Sequence, residues 1–153
     1  MQGLETTATF HQPTDQFIIH SPTLTATKWW PGGLAKTSTH AVVMARLFVA
    51  GTDHGPHAFV VQLRDMETHK ALPGIEMGDI GPKFGYNGVD NGFMRFDHVL
   101  VPRSAMLARY ATVWLPATSP APPRHTYAAA ASTLPPSSAA CGLTLCLCVW
   151  WPS

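Results

Sequence analysis

His40-Ala41-Val42-Val43-Met44-Ala45-Arg46-Leu47-Phe48-Val49 is a ten-residue apolar run broken by one charge. Its length suits either a helix or a long strand, and the choice decides whether the chain is mixed or mostly β. Valine and phenylalanine favour the strand, because branched and aromatic side chains pack well on a pleated surface. Gly51-Thr52-Asp53 follows at once and reads as a turn. His57 to Leu63 has the same character, so the two runs are expected to pair antiparallel.

Outward from this pair the pattern repeats. Leu4 to Phe10 and Gln16 to His20 read as a hairpin around the polar turn His11 to Asp15, and Ser21-Pro22 ends it. Thr23 to Trp29 reads as a third strand. Gly74 to Ile80 is a further short one, and Phe93 to Val99 alternates as a strand should. Between them, Gly78 to Gly92 holds five glycines and one proline, the composition of a shaped loop. Pro102 stops the last strand, and Ser104 is an N-cap for a short helix expected over 104–112. The fold class is therefore mostly β, a small antiparallel barrel or sandwich with turns about every ten residues.

Lys28-Trp29-Trp30-Pro31-Gly32-Gly33-Leu34-Ala35-Lys36-Thr37-Ser38 carries the clearest chemical signal. Tryptophans bring large flat apolar area. A glycine beside them lets another group come close to the backbone. Together they offer a wall and a floor for a flat aromatic ligand; the plainer reading is a buried tryptophan pair beside a turn. Lys36-Thr37-Ser38 invites a phosphate-loop reading, but the glycine spacing is not met. Asp53, His54 and His57 share one loop without a third well-placed imidazole or thiolate, so the histidines read as surface residues near a turn and no metal site is expected. Cys146 and Cys148 lack zinc partners, and all three cysteines lie beyond residue 140, so disulfides do not hold the body together.

Charged residues are 12% of the 153 and the net charge is +1, which gives no electrostatic case for nucleic acid or an acidic membrane surface. No apolar run is long enough for a membrane-spanning helix, and the N-terminus lacks a signal pattern. After Val113 the character changes. Residues 114–153 contain no Lys, Asp or Glu, a single Arg124, and half of the 14 prolines. Two regions are expected: a β-domain over 1–113, truncated at its N-terminal edge, and a Pro/Ala/Ser-rich, disordered tail over 114–153.

The order of the motifs resembles the middle β-domain of the peroxisomal acyl-CoA oxidases, within the wider acyl-CoA dehydrogenase superfamily. Gly-Leu-Glu-Thr-Thr-Ala-Thr (3–9), Lys-Trp-Trp-Pro-Gly-Gly-Leu (28–34), Gly-Asp-Ile-Gly-Pro-Lys-Phe-Gly-Tyr (78–86), Asp-Asn-Gly-Phe (90–93) and Val-Pro-Arg (101–103) carry it. The likeness covers about three quarters of the chain and stops where the tail starts; the tail is expected to be mis-joined or read-through sequence. The resemblance implies a flavoenzyme that oxidises fatty acyl-CoA to trans-2-enoyl-CoA with release of hydrogen peroxide. It implies FAD as cofactor, a fatty acyl-CoA substrate, a homodimer and a peroxisomal location, although Trp151-Pro152-Ser153 is not a Ser-Lys-Leu type address.

Carried over by position, Gly32 is the foremost flavin contact, Trp29 a stacking wall, and Pro31 and Gly33 weaker contacts. Trp30 is expected to point away from Trp29. Ala35 stands where the family has glycine, which strains the loop if that position needs a positive φ. Gly81 to Gly85, Lys83 and the Asp90-Asn91-Gly92 corner either border the acyl-CoA channel or form turns. The family's catalytic glutamate sits on a helical domain that nothing here matches, and no acidic residue follows Asp97. The chain alone is therefore expected to be inactive, with no catalytic residue of its own. The alternatives are a non-catalytic module that binds flavin, acyl-CoA or an intact oxidase, and a poorly folded product.

Overall fold

The structure, a computed structural model, describes residues 3–114, 126–128 and 145–147. His40–Val49 (β4) is a strand over its full length, with every second side chain buried: Ala41, Val43, Ala45, Leu47 and Val49. Thr52–Gln62 (β5) folds back antiparallel along it, with a register shift between Arg46 and Phe48. Thr7–His11 (β1) and Gln16–His20 (β2) form the expected hairpin. β1 then pairs parallel with the Arg46–Phe48 end of β4, and Val99–Pro102 (β8) closes on β2. A second sheet holds Lys28–Gly32 (β3), Asn91–Phe96 (β7) and Ile75–Asp79 (β6) in the order β3-β7-β6.

Both sheets contribute to one core. Phe10 packs tilted against Phe17, and Phe17 edge-on against Phe59, with centroids 5.3 and 5.0 Å apart. Met94 and Phe96 of the second sheet are buried in the same cluster. The mostly β reading holds, with open sheets rather than a closed barrel.

Three local expectations are corrected. Thr23 to Trp29 is not one strand: Leu24–Ala26 is a 3-10 turn capped by Thr23, whose hydroxyl accepts from the Ala26 N–H at 3.2 Å. Threonine's side chain here competes with the sheet ladder for the backbone. Phe93 to Val99 is divided, because Asp97 and His98 turn the chain between β7 and β8. The expected helix over 104–112 is a single 3-10 turn at Arg103–Ala105. Met106 then bridges Phe59, and the Leu107 N–H donates to Ala58 O at 2.9 Å. A helix this short is marginal alone, and pairing onto β5 displaces it.

Most of the tail lies outside the described residues. Within it, Thr126–Ala128 (β10) pairs parallel with Thr112–Trp114 (β9), and Leu145–Leu147 (β11) pairs parallel with the His40–Val42 end of β4.

Three carboxylates near the surface are held below their ordinary pKa by hydrogen bonds. Glu5 accepts from the hydroxyls of Thr23 and Thr25. Asp53 accepts from Arg46 and the Gly55 N–H, and Asp65 from the Thr68 N–H and hydroxyl and the Glu67 N–H. A depressed folded pKa means that the unfolded chain binds more protons, so stability rises with pH through that window. The contribution is complete above the ordinary carboxylate pKa of about 4 and is lost as pH falls through the folded values. Thermal midpoints should be flat above about pH 5 and fall between pH 4 and 2; a midpoint that rises on acidification would contradict this.

Candidate functional site: the Trp29–Gly33 strand end

β3 starts as a regular strand. Lys28 and Trp29 stand opposite Met94 and Phe93. Lys28 is buried and its Nζ donates to Met44 O at 3.0 Å, which ties this sheet to β4. The ladder then slips between Trp29 and Gly32, and Trp30 takes φ 84. An extra residue in one strand bends it and re-aims the side chains. Alternation therefore fails: Trp29 and Trp30 are both half-exposed, at 52% and 53%, and Pro31 takes the buried position. The expectation that the two tryptophans face opposite ways assumed an unbroken strand. The Asn91 side chain fixes the bulge by donating to Trp30 O at 2.8 Å.

Trp29 lies nearly parallel to Phe93, with centroids 5.9 Å and planes 18° apart. A tryptophan backed by a second ring presents its outer face at low entropic cost. Beside it Gly32 is open, since a Cβ added there would meet nothing within 4 Å. Gly33 turns the chain with φ 74, a conformation that glycine adopts without the steric cost a Cβ brings. Its N–H donates to Asp90 O at 2.5 Å, and its carbonyl accepts from Thr37 N at 3.1 Å and Ser38 N at 2.7 Å.

Two side chains brace this loop from below. Asp90 Oδ2 accepts from the Lys36 and Thr37 N–H groups and the Thr37 hydroxyl at 3.0, 3.1 and 3.1 Å. Arg64 is buried and donates to Ser38 O at 2.6 Å, Leu34 O at 3.0 Å and Ala35 O at 2.7 Å. Burial pulls the Arg64 pKa down and the charge of Asp90 opposes that shift. Ala35 does not have positive φ, so the alanine there stores no left-handed strain.

Other candidates from the sequence are placed elsewhere. The Asp90-Asn91-Gly92 corner serves as the loop's support. Lys83 is tied within its own loop, its Nζ donating to Val89 O at 3.2 Å. Asp53 is engaged by Arg46, while the rings of His54 and His57 both pack on Tyr127.

No family model matches the chain. Peroxisomal acyl-coenzyme A oxidase 1 of Arabidopsis thaliana is 61% identical to it over 116 residues, 74% of this chain and 18% of that protein. The crystal structure of an acyl-CoA oxidase from tomato superposes with a TM-score of 0.72 at 62% identity, covering 74% of this chain and 18% of that one. The chain corresponds to a portion of an acyl-CoA oxidase. Acyl-CoA oxidase-2 of Caenorhabditis elegans, solved with FAD, ascaroside-CoA and ATP bound, is 45% identical with a TM-score of 0.72, over 74% of this chain and 17% of that one. The oxidase segment thus spans under a fifth of the length of the relatives it matches.

Arg64 and Lys28 were not legible as part of this site. A lone arginine or lysine at a strand end reads as a surface charge, and only the fold shows them buried.

Proposed function

We propose that the Trp29–Gly33 strand end is one wall of an FAD site in an acyl-CoA oxidase, acting on fatty acyl-CoA in the peroxisome. The observation that carries this reading is the pairing of a ring-backed, half-exposed Trp29 with an open Gly32, on a loop that Asp90 and Arg64 hold rigid. A flat aromatic group fits such a surface. Trp29 would take its face, and Pro31, Gly32 and Gly33 would border its edge. Bound there, FAD would supply the electron-accepting chemistry of the reaction. The chain's own part is to orient that group and to shield it with Trp29 and Trp30. FAD is bound in the worm oxidase, and the other relatives are oxidases by name.

The test is a titration of the purified full chain with FAD, read by flavin fluorescence. Saturable quenching is expected, with affinity about fivefold to 150-fold weaker in Trp29→Ala, since base-sized stacking on an aromatic side chain is worth about 1–3 kcal/mol. Absence of binding by a chain whose circular dichroism shows folded strands would overturn the reading. Peroxide from palmitoyl-CoA is not expected from this chain alone.

A further inference from the structure

We propose that His20, Asp97 and His98 form a binding site for a divalent transition-metal ion, with Zn2+ the best match. The cluster lies past the far end of β7 from the Trp29–Gly33 loop and does not depend on the flavin reading. His20 ends β2, and Asp97-His98 is the connection between β7 and β8. Because Ile19 stands opposite Val99, His20 is brought beside His98. Their rings stack with centroids 4.0 Å apart and planes at 26°.

The donor atoms already converge. His98 Nδ1 is 2.7 Å from Asp97 Oδ1, and His20 Nδ1 is 3.6 Å from the same oxygen. One ligand atom from each of the three lies within 4.8 Å of the others. Bonds of about 2.0–2.2 Å to a tetrahedral ion place neighbouring ligands roughly 3.3–3.6 Å apart. Rotation of the two imidazoles out of their stack, so that both ring planes point at one ion, would bring all three into a coordination sphere. His20 Nδ1 is shut off from water and makes no hydrogen bond. A shielded imidazole nitrogen without a partner is a lone pair available to a metal.

The corner is firmly built. The Asp97 N–H donates to Gly74 O at 2.7 Å, and the Ser21 N–H to Phe96 O at 2.8 Å. Ser21 Oγ accepts from the Phe96 N–H at 3.2 Å. His98 is held at φ 49, a left-handed conformation uncommon outside glycine, and its ring stacks on that of His20. Two imidazoles and one carboxylate suit Zn2+, Ni2+ or Cu2+, whereas Ca2+ and Mg2+ require oxygen ligands. Asp97 and His98 are exposed, which leaves water access to a fourth position.

The experiment uses the full chain without a histidine tag and Co2+ as a spectroscopic probe. Saturable uptake of a single Co2+ per chain is expected, with visible d–d bands that Zn2+ abolishes by displacement. His98→Asn keeps a residue that tolerates the left-handed backbone and should weaken Co2+ binding by at least tenfold. His20→Asn should do the same, and His57→Asn should change nothing. If folded protein takes up no Co2+, or if uptake survives both His98→Asn and His20→Asn, the assignment fails.

Discussion

Gly92→Ala should destabilise the domain by about 3 kcal/mol and abolish FAD binding with it. Gly92 is buried at the start of β7, under the loop that carries Gly33. A Cβ there would stand 2.5 Å from Ala35 N, 2.8 Å from Gly78 O and 2.9 Å from Ala35 Cα. All three are backbone atoms, so no flexible side chain can swing aside. Either β7 parts from β6 or the 33–38 loop lifts off the sheet. The second outcome moves Gly32 and Gly33 directly. Gly88→Ala is the matched control: its Cβ meets nothing within 4 Å, and a change within about 0.5 kcal/mol is expected. Urea unfolding of the two variants checks this; equal midpoints would refute the close-packed loop.

Arg64→Met is the second large effect. Methionine roughly preserves the buried volume and removes every donor. The carbonyls of Leu34, Ala35 and Ser38 then lose their guanidinium partner. An unpaired buried polar group costs about 1–3 kcal/mol, so a loss of about 2–4 kcal/mol is expected with partial rescue by water. Asp90 loses the nearby positive charge as well. Arg64→Lys should fall between, since an ammonium cannot fork to three carbonyls as a guanidinium does. FAD affinity should fall in the same order, Arg64 above Lys above Met. A fully stable Arg64→Met chain with unchanged FAD affinity would mean that the loop needs no brace.

Where branched and aromatic residues were concentrated between clear turns, the sequence was transparent. β2 and β4 run over the residues that this content marks, and the β1–β2 and β4–β5 pairings follow from the turns between them. Legibility ended where a side chain competes with the backbone ladder. Thr23 capping a 3-10 turn, Trp30 in a bulge and Met106 bridging Phe59 are tertiary choices among local options of similar energy. The Trp29–Gly33 stretch was visible as a motif. Its support was not, because Asp90 and Arg64 reach it from distant strands. The His20, Asp97 and His98 cluster was invisible for the same reason: only the pairing of β2 with β8 brings its members together.

The partnership of β3 with β7 has a consequence for synthesis on the ribosome. The Trp29–Gly33 segment cannot find Phe93, Asp90 or Asn91 until nearly sixty further residues have been made. At roughly 5–20 residues per second that is a wait of about 3–12 seconds. During it two adjacent tryptophans lack the strand that will back them. A nascent chain in that state is a natural client for a chaperone, and the translation rate between residues 33 and 90 becomes a variable in how much of it reaches the native form.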